Sequence, residues 1–65
     1  MPIKICVIKD TINRTVRIAA YYLYINYLDM HILNINPNET KAELDSRILI
    51  ALNIHVPYIW ERYTL

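Results

Sequence analysis

The sequence predicts a small α/β domain of the α+β type, in which a short N-terminal strand is followed by two helices. Three observations carry this prediction. Residues 2–9 alternate with period two, residues 11–30 repeat apolar side chains at spacings of three and four, and a proline-led helix start lies near residue 37. A chain of 65 residues has room for a single domain, which we place at 1–65.

The first strand is predicted over residues 2–9. β-Branched side chains stand at Ile3, Ile5 and Val7, which all point to one face of a strand. Pro2 suits the first position of a strand, where no ladder hydrogen bond is lost. Cys6 is the only cysteine, so disulfides within the chain are excluded, and it is interpreted as a small buried hydrophobe.

The first helix is predicted over residues 11–30, capped by Asp10 or Thr11. Its apolar stripe consists of Ile12, Val16, Ala19, Ala20, Leu23, Tyr24, Tyr27 and Met30. The competing interpretation is one or two strands, since isoleucine, valine and tyrosine favour β-structure. The chain has no glycine and therefore no Asn-Gly or Asp-Gly turn, which favours the helix.

The second helix is predicted over residues 37–52. Asn36 suits the N-cap, Pro37 the first helical position, and Glu39 the carboxylate position of a capping box. The helical stripe is Leu44, Ile48, Ala51 and Leu52. Before it, residues 31–36 are either a short strand or the end of the first helix.

The end of the second helix is left open by the sequence. Residues 47–56 also alternate as a strand would, so the segment is either helix or strand there. Asn53 suits the left-handed position after a helix, and Pro57 is expected to stop whatever precedes it. The remaining residues are predicted as a helical turn or an edge strand.

The passage "ILNINPNETKAELDSRI" resembles the strand-to-helix passage of ubiquitin-like domains. The resemblance rests on Pro37, Thr40, Leu44 and Ile48. Any strand that enters a capped helix would use the same elements, so no function is transferred from it.

Self-association is predicted from an excess of apolar surface. The apolar fraction is 55% and the charged fraction 20%, while so short a chain hides little surface when it folds. The predicted 11–30 helix is apolar on both sides, more than one small protomer can cover. We therefore predict a homo-oligomer, most simply a two-fold dimer. The predicted interface residues are Ile18, Tyr21, Tyr22, Ile25, Leu28, Tyr58, Trp60 and Tyr63.

The sequence predicts a non-enzymatic protein-binding module, a regulator or inhibitor whose partners are a second copy of itself and another protein. Cys6, His31 and His55 lack the spacing of a metal site, and neither histidine has a nucleophile linked to it in sequence. Without glycine the usual phosphate-binding loops are missing. We predict no catalytic, metal-binding or cofactor-binding residues.

Two alternatives remain at the level of sequence. One is a small dimeric DNA-binding regulator, in which Lys9, Arg14 and Arg17 contact phosphates and the element order is similar to that of ribbon-helix-helix repressors. The net charge of +1 gives it little support. The other is a membrane-surface protein anchored by its C-terminal aromatic residues. No apolar run is long enough for a transmembrane segment, so a soluble, cytoplasmic protein is expected.

Overall fold

The computed structural model describes residues 2–63 and contains three strands followed by one helix. The elements are β1 (Ile3–Asp10), β2 (Thr15–Tyr22), β3 (Asn26–Asn34) and α1 (Lys41–Arg62). The strands form an antiparallel sheet in the order β1-β2-β3. The predicted fold class, one strand followed by two helices, is therefore wrong; the fold is α+β with a three-stranded meander.

The predicted helix over residues 11–30 is instead β2 and most of β3. Val16, Ile18 and Ala20 are all buried, at 0%, 3% and 0% exposure, which is the period-two pattern of a strand with one covered face. The helical spacing was misleading because residues 18–28 are apolar at every position except Asn26. Such a segment matches a period of 3.6 as well as a period of two.

Two tight turns form without glycine. In the β1–β2 turn the Asp10 carboxylate accepts hydrogen bonds from the backbone N–H groups of Ile12 and Asn13, and Arg14 takes a positive φ of 52°. In the β2–β3 turn Leu23 and Tyr24 have φ of 53° and 67°. Two successive positive φ values are typical of the turn that usually contains Asn-Gly. The missing glycine therefore did not exclude a hairpin.

Helix α1 begins later than predicted because two capping sequences overlap. The Thr40 hydroxyl accepts a hydrogen bond from the Glu43 N–H, and the Glu43 carboxylate accepts one from the Thr40 N–H. That capping box starts the helix at Lys41. Asn36 and Glu39 form a separate turn ahead of it, in which the Asn36 N–H donates to the Glu39 carboxylate.

The same helix continues through Pro57 to Arg62, where the sequence had predicted an end at residue 52 or a change to strand. A proline removes the hydrogen bond to the carbonyl four residues earlier. Pro57 and Asn53 both lie on the exposed side of α1, where water can hydrate that carbonyl. Buried Ile59 holds the following turn against the sheet. Residues 64 and 65 of the predicted last segment lie outside the described residues.

The core lies between α1 and one face of the sheet. At one end Val16 packs with Leu44 and Ile48, and at the other Ile3 and Ala20 pack with Ile59. The partly buried residues around these clusters are Ile5, Tyr22, Leu28, Leu33, Ile35, Leu52 and Tyr63. Since these sheet residues face the helix, their neighbours along each strand face away from it. Among residues 2–63, no helix combines the length and the apolarity needed to cross a bilayer.

Candidate protein-interaction surface

The sheet face opposite α1 has no layer of the described chain packed over it, and we call it the open face. Its cross-strand rows are Ile8–Arg17–Ile32, Cys6–Ala19–Met30 and Lys4–Tyr21–Tyr27. Ile8, Ile32 and Tyr27 are 47%, 54% and 60% exposed. Ala19 is fully buried although it lies on this face, because taller side chains surround it. The open face is thus an apolar surface with a slight depression at its centre, where Ala19 lies.

A positive charge lies in the middle of this apolar surface. Arg17 is exposed on the central strand, and Ile8 and Ile32 flank it on the two neighbouring strands. Lys4 adds a second positive charge at the end of β1 nearer the β2–β3 turn. Asp10, at the end of β1, is the acidic residue of this face, and its carboxylate accepts hydrogen bonds from the β1–β2 turn.

The tyrosines gather at the opposite end of the open face from Asp10. The rings of Tyr21 and Tyr27 meet edge to face, with centroids 6.2 Å apart. The Lys4 ammonium lies 4.9 Å from the centre of the Tyr24 ring in the β2–β3 turn. Aromatic pairs prefer this edge-to-face arrangement, which adds to the energy of apolar burial. This end of the face is therefore aromatic.

The structure separates the predicted interface residues of the β2–β3 hairpin. Ile18 is buried within the protomer, and Tyr22 and Leu28 pack against the core below α1. Tyr21 lies on the open face, and Ile25 is 80% exposed in the turn. The segment is extended, so these residues do not share the two apolar sides of a helix.

The three predicted C-terminal interface residues differ in their surroundings. The Tyr63 hydroxyl donates to the Leu28 carbonyl at 2.9 Å, which ties the end of α1 to β3. Tyr58 accepts a hydrogen bond from Arg62 and lines a cavity beside β3. Trp60 is 38% exposed. Tyr63 therefore belongs to the protomer's own packing.

Lys9, Arg14 and Arg17, the residues of the DNA-binding alternative, do not form one patch. Lys9 lies on the helix side of β1 and pairs with Asp45 at 3.3 Å. Arg14 lies in the β1–β2 turn and Arg17 on the open face. The strand period places Lys9 and Arg17 on opposite faces of the sheet.

A cavity of about 220 Å³ lies between β3 and α1. The rings of His31 and His55 line it with centroids 3.8 Å apart and planes tilted by 33°, and Asp29 and Tyr58 also line it. Burial, followed by the neighbouring His55, lowers the pKa of His31 below its ordinary value, against the opposing effect of Asp29. Within residues 2–63, no group of three or more ligating side chains could hold a metal ion.

The sequence interpretation missed Ile8, Met30 and Ile32 as surface residues of one patch. All three were assigned to a strand or a helix stripe without a partner across the sheet. Period-two alternation would have placed them on one face, but residues 18–28 fit a period of 3.6 as well as a period of two, so the sequence held no clear signal for the patch.

Comparison with known proteins identifies no relative. No family model matches the chain, and no curated protein or solved structure shows significant similarity to it. What the chain binds must therefore be inferred from its own surfaces.

Proposed function

We propose that the protein is a small non-enzymatic protein-binding module, a regulator or inhibitor that works as a homo-oligomer. Its open face binds a segment of another protein that presents apolar side chains around a carboxylate. The observation that carries the proposal is Arg17, set between exposed Ile8 and Ile32 on a face that α1 leaves uncovered.

The apolar part of this surface supports a protein partner. Exposed isoleucine and tyrosine side chains lie in adjacent rows on a sheet, so one partner segment can cover several of them together. Burying apolar area contributes roughly 25 cal/mol per Å² before the costs of association. Aromatic residues and arginine are also the side chains most enriched at the centres of protein interfaces.

The charges on the open face indicate an acidic partner rather than a second copy in face-to-face contact. Two stacked sheets lie about 10 Å apart, so two open faces would bring the positive charges of Lys4 and Arg17 from both copies into one layer. Asp10 stands at the end of the face and supplies one negative charge against these two positive charges in each copy, so it does not balance them. A carboxylate from a different protein would pair with Arg17 with two hydrogen bonds.

A displayed library of random peptides tests this proposal on the intact protein. Peptides that bind the wild-type chain are expected to carry aspartate or glutamate between apolar residues. Enriched sequences without an acidic residue would contradict the assigned chemistry, and so would a library from which nothing is enriched.

Two variants locate the binding surface. Arg17→Glu should abolish binding of an enriched peptide, because it replaces attraction by repulsion at the centre of the face. Ile54→Glu is the matched control, since Ile54 is 62% exposed on α1, on the other side of the molecule. Binding that survives Arg17→Glu, or is lost equally in both variants, would refute the proposal.

The other two functional classes are outcomes of parallel experiments. A mobility shift with mixed-sequence DNA that weakens steeply with salt, and is lost in Arg17→Glu, would replace the proposal by the DNA-binding regulator. Co-flotation with anionic liposomes would favour the membrane-surface protein. Neither result is expected for a face with so few basic residues.

A further inference from the structure

We infer that two copies of the chain associate through β1, whose outer edges pair antiparallel across a two-fold axis to form one continuous sheet. This inference deepens the homo-oligomer of the proposed function and defines its interface. It does not require that the open face bind an acidic partner.

The hydrogen-bond pattern shows which backbone groups of β1 point outward. The Leu23 N–H donates to the Pro2 carbonyl at 2.8 Å, so Pro2 and Leu23 form a hydrogen-bonded pair of the β1–β2 ladder. Such pairs alternate along antiparallel strands. The outward-pointing groups are therefore those of Ile3, Ile5, Val7 and Lys9. Within residues 2–63 no hydrogen bond to these outward groups is present.

The opposite edge of the sheet is already protected. The outward N–H of Met30 donates to the Asp29 carboxylate at 2.8 Å, and the Asn34 carbonyl accepts from Arg47 at 3.0 Å. A register shift opposite Ala20 and Tyr21 also bends β3. Occupied backbone groups and bulges are devices that prevent edge-to-edge pairing. Among residues 2–63, β1 has no occupied outward backbone group and no register shift against β2. Lys4, Lys9 and the preceding Pro2 are also edge devices, but they leave the outward groups of Ile5 and Val7 unblocked.

Charge selects the register of the pairing. The face of β1 away from α1 begins with Lys4 and ends with Asp10, so an antiparallel copy can set each Lys4 opposite the partner's Asp10. Val7 then lies opposite the partner's Val7, and Cys6 opposite the partner's Ile8. The neighbouring register places Lys4 opposite an isoleucine and forms no ion pair. Opposite charges directly across strands stabilise a pairing.

This register also fixes where the helices lie. Directly opposite residues of antiparallel strands point to the same face, and the outward backbone groups belong to residues that face α1. Both helices are therefore on one side of the joined sheet. The pairing forms about six hydrogen bonds, since each of the outward pairs exchanges two.

The helix side of β1 also carries apolar surface that a second copy would cover. Lys9 contacts Asp45 on this side, and Leu49 follows Asp45 one turn later on α1. Val7 and Leu49 remain 42% and 60% exposed there. Neighbouring strands lie about 4.8 Å apart, which brings the partner's Val7 beside this surface.

A concentration series by sedimentation equilibrium tests the interface. The wild-type chain should dimerise, and Val7→Pro should raise the dimer dissociation constant by about tenfold to a hundredfold, because two central hydrogen bonds are lost. Proline is tolerated where the N–H points outward from an edge strand, so the variant keeps its fold, which circular dichroism checks. Ile32→Pro, at an outward position of β3, is the matched control and should still dimerise.

A disulfide reports the register. In the variant Ile8→Cys, oxidation should link Cys6 to the new cysteine of the partner, since opposite residues of a non-hydrogen-bonded pair lie about 4.5 Å apart at Cα. The wild-type chain has only Cys6, so its two copies should not form a disulfide with each other. Cross-linking through Cys6 alone, a wild-type monomer at every concentration, or a dimer unaffected by Val7→Pro would overturn the inference.

The two proposals fail independently. Val7→Pro should still bind an acidic display-selected peptide through the open face, while Arg17→Glu should still dimerise. If only peptide binding is lacking, the open-face proposal is wrong and the β1 pairing stands. If only dimerisation is lacking, the β1 pairing is wrong and the open-face proposal stands.

Discussion

The β1–β2 turn offers a direct measurement of stored backbone strain. Arg14 has a φ of 52°, in the left-handed region that costs a residue with a Cβ roughly 1–2 kcal/mol. We expect Arg14→Gly to remove this cost while adding about 0.5–1 kcal/mol of chain entropy. Because the Arg14 side chain is exposed, removing it changes the unfolding free energy little. The net gain in unfolding free energy is about 0.5–1 kcal/mol.

Thr11→Gly in the same turn is the matched control. Thr11 is exposed and is not among the described residues with positive φ, so glycine there adds entropy and relieves no strain. The difference between the two variants cancels the glycine entropy and should be about 1–2 kcal/mol in favour of Arg14→Gly. Leu23 and Tyr24 are less suitable sites, because the Lys4–Tyr24 contact would be changed as well.

Urea unfolding followed by circular dichroism, at one fixed protein concentration, measures both variants. The expected gain for Arg14→Gly corresponds to a melting temperature higher by about 2–8 °C. Equal destabilisation by the two glycines would refute the reasoning, because it would mean that Arg14 is not held in the left-handed region.

Three further predictions concern the core and the histidine pair. Val16→Ala should lower the unfolding free energy by about 2 kcal/mol in urea titration, because Val16 is 0% exposed and two buried methyl groups are lost. Tyr63→Phe should cost about 1 kcal/mol by the same assay, since it leaves the Leu28 carbonyl without its donor. Burial and then His55 lower the pKa of His31 from 6.5, so unfolding free energy should fall as the pH drops below 6.5, where the unfolded chain binds more protons. His31→Gln should flatten this dependence, and an unchanged pH slope would contradict it.

The first strand and the existence of a C-terminal helix could be predicted from the sequence, because each has a local signal. Residues 2–9 alternate between β-branched and other side chains, and β1 spans Ile3–Asp10. The helix start was misplaced because Asn36 with Glu39 and Thr40 with Glu43 are equally good capping sequences. Only the second one opens the helix. The Glu39 carboxylate pairs with Arg47 at 2.7 Å, a contact that depends on the folded turn.

The central hairpin could not be predicted by the same means. Leu23 and Tyr24 occupy backbone conformations that favour glycine or asparagine, and a local rule therefore argued against a turn at this place. Pairing of β2 with strands on both sides outweighs that local cost. The open face depends in turn on this pairing, so a mistaken period also concealed Ile8, Arg17 and Ile32 as neighbours.

The sequence by itself determined a small, apolar chain with a β-branched first strand, a capped helix and no disulfide of its own. Only the tertiary structure decided that residues 15–34 form two extended strands joined by a turn and that α1 passes through Pro57. It also decided that residues 2–63 leave one face and one edge of the sheet uncovered. The physical reason is that an almost uniformly apolar segment has no period of its own. Its conformation is set by which backbone groups find partners across the sheet and by which side α1 covers.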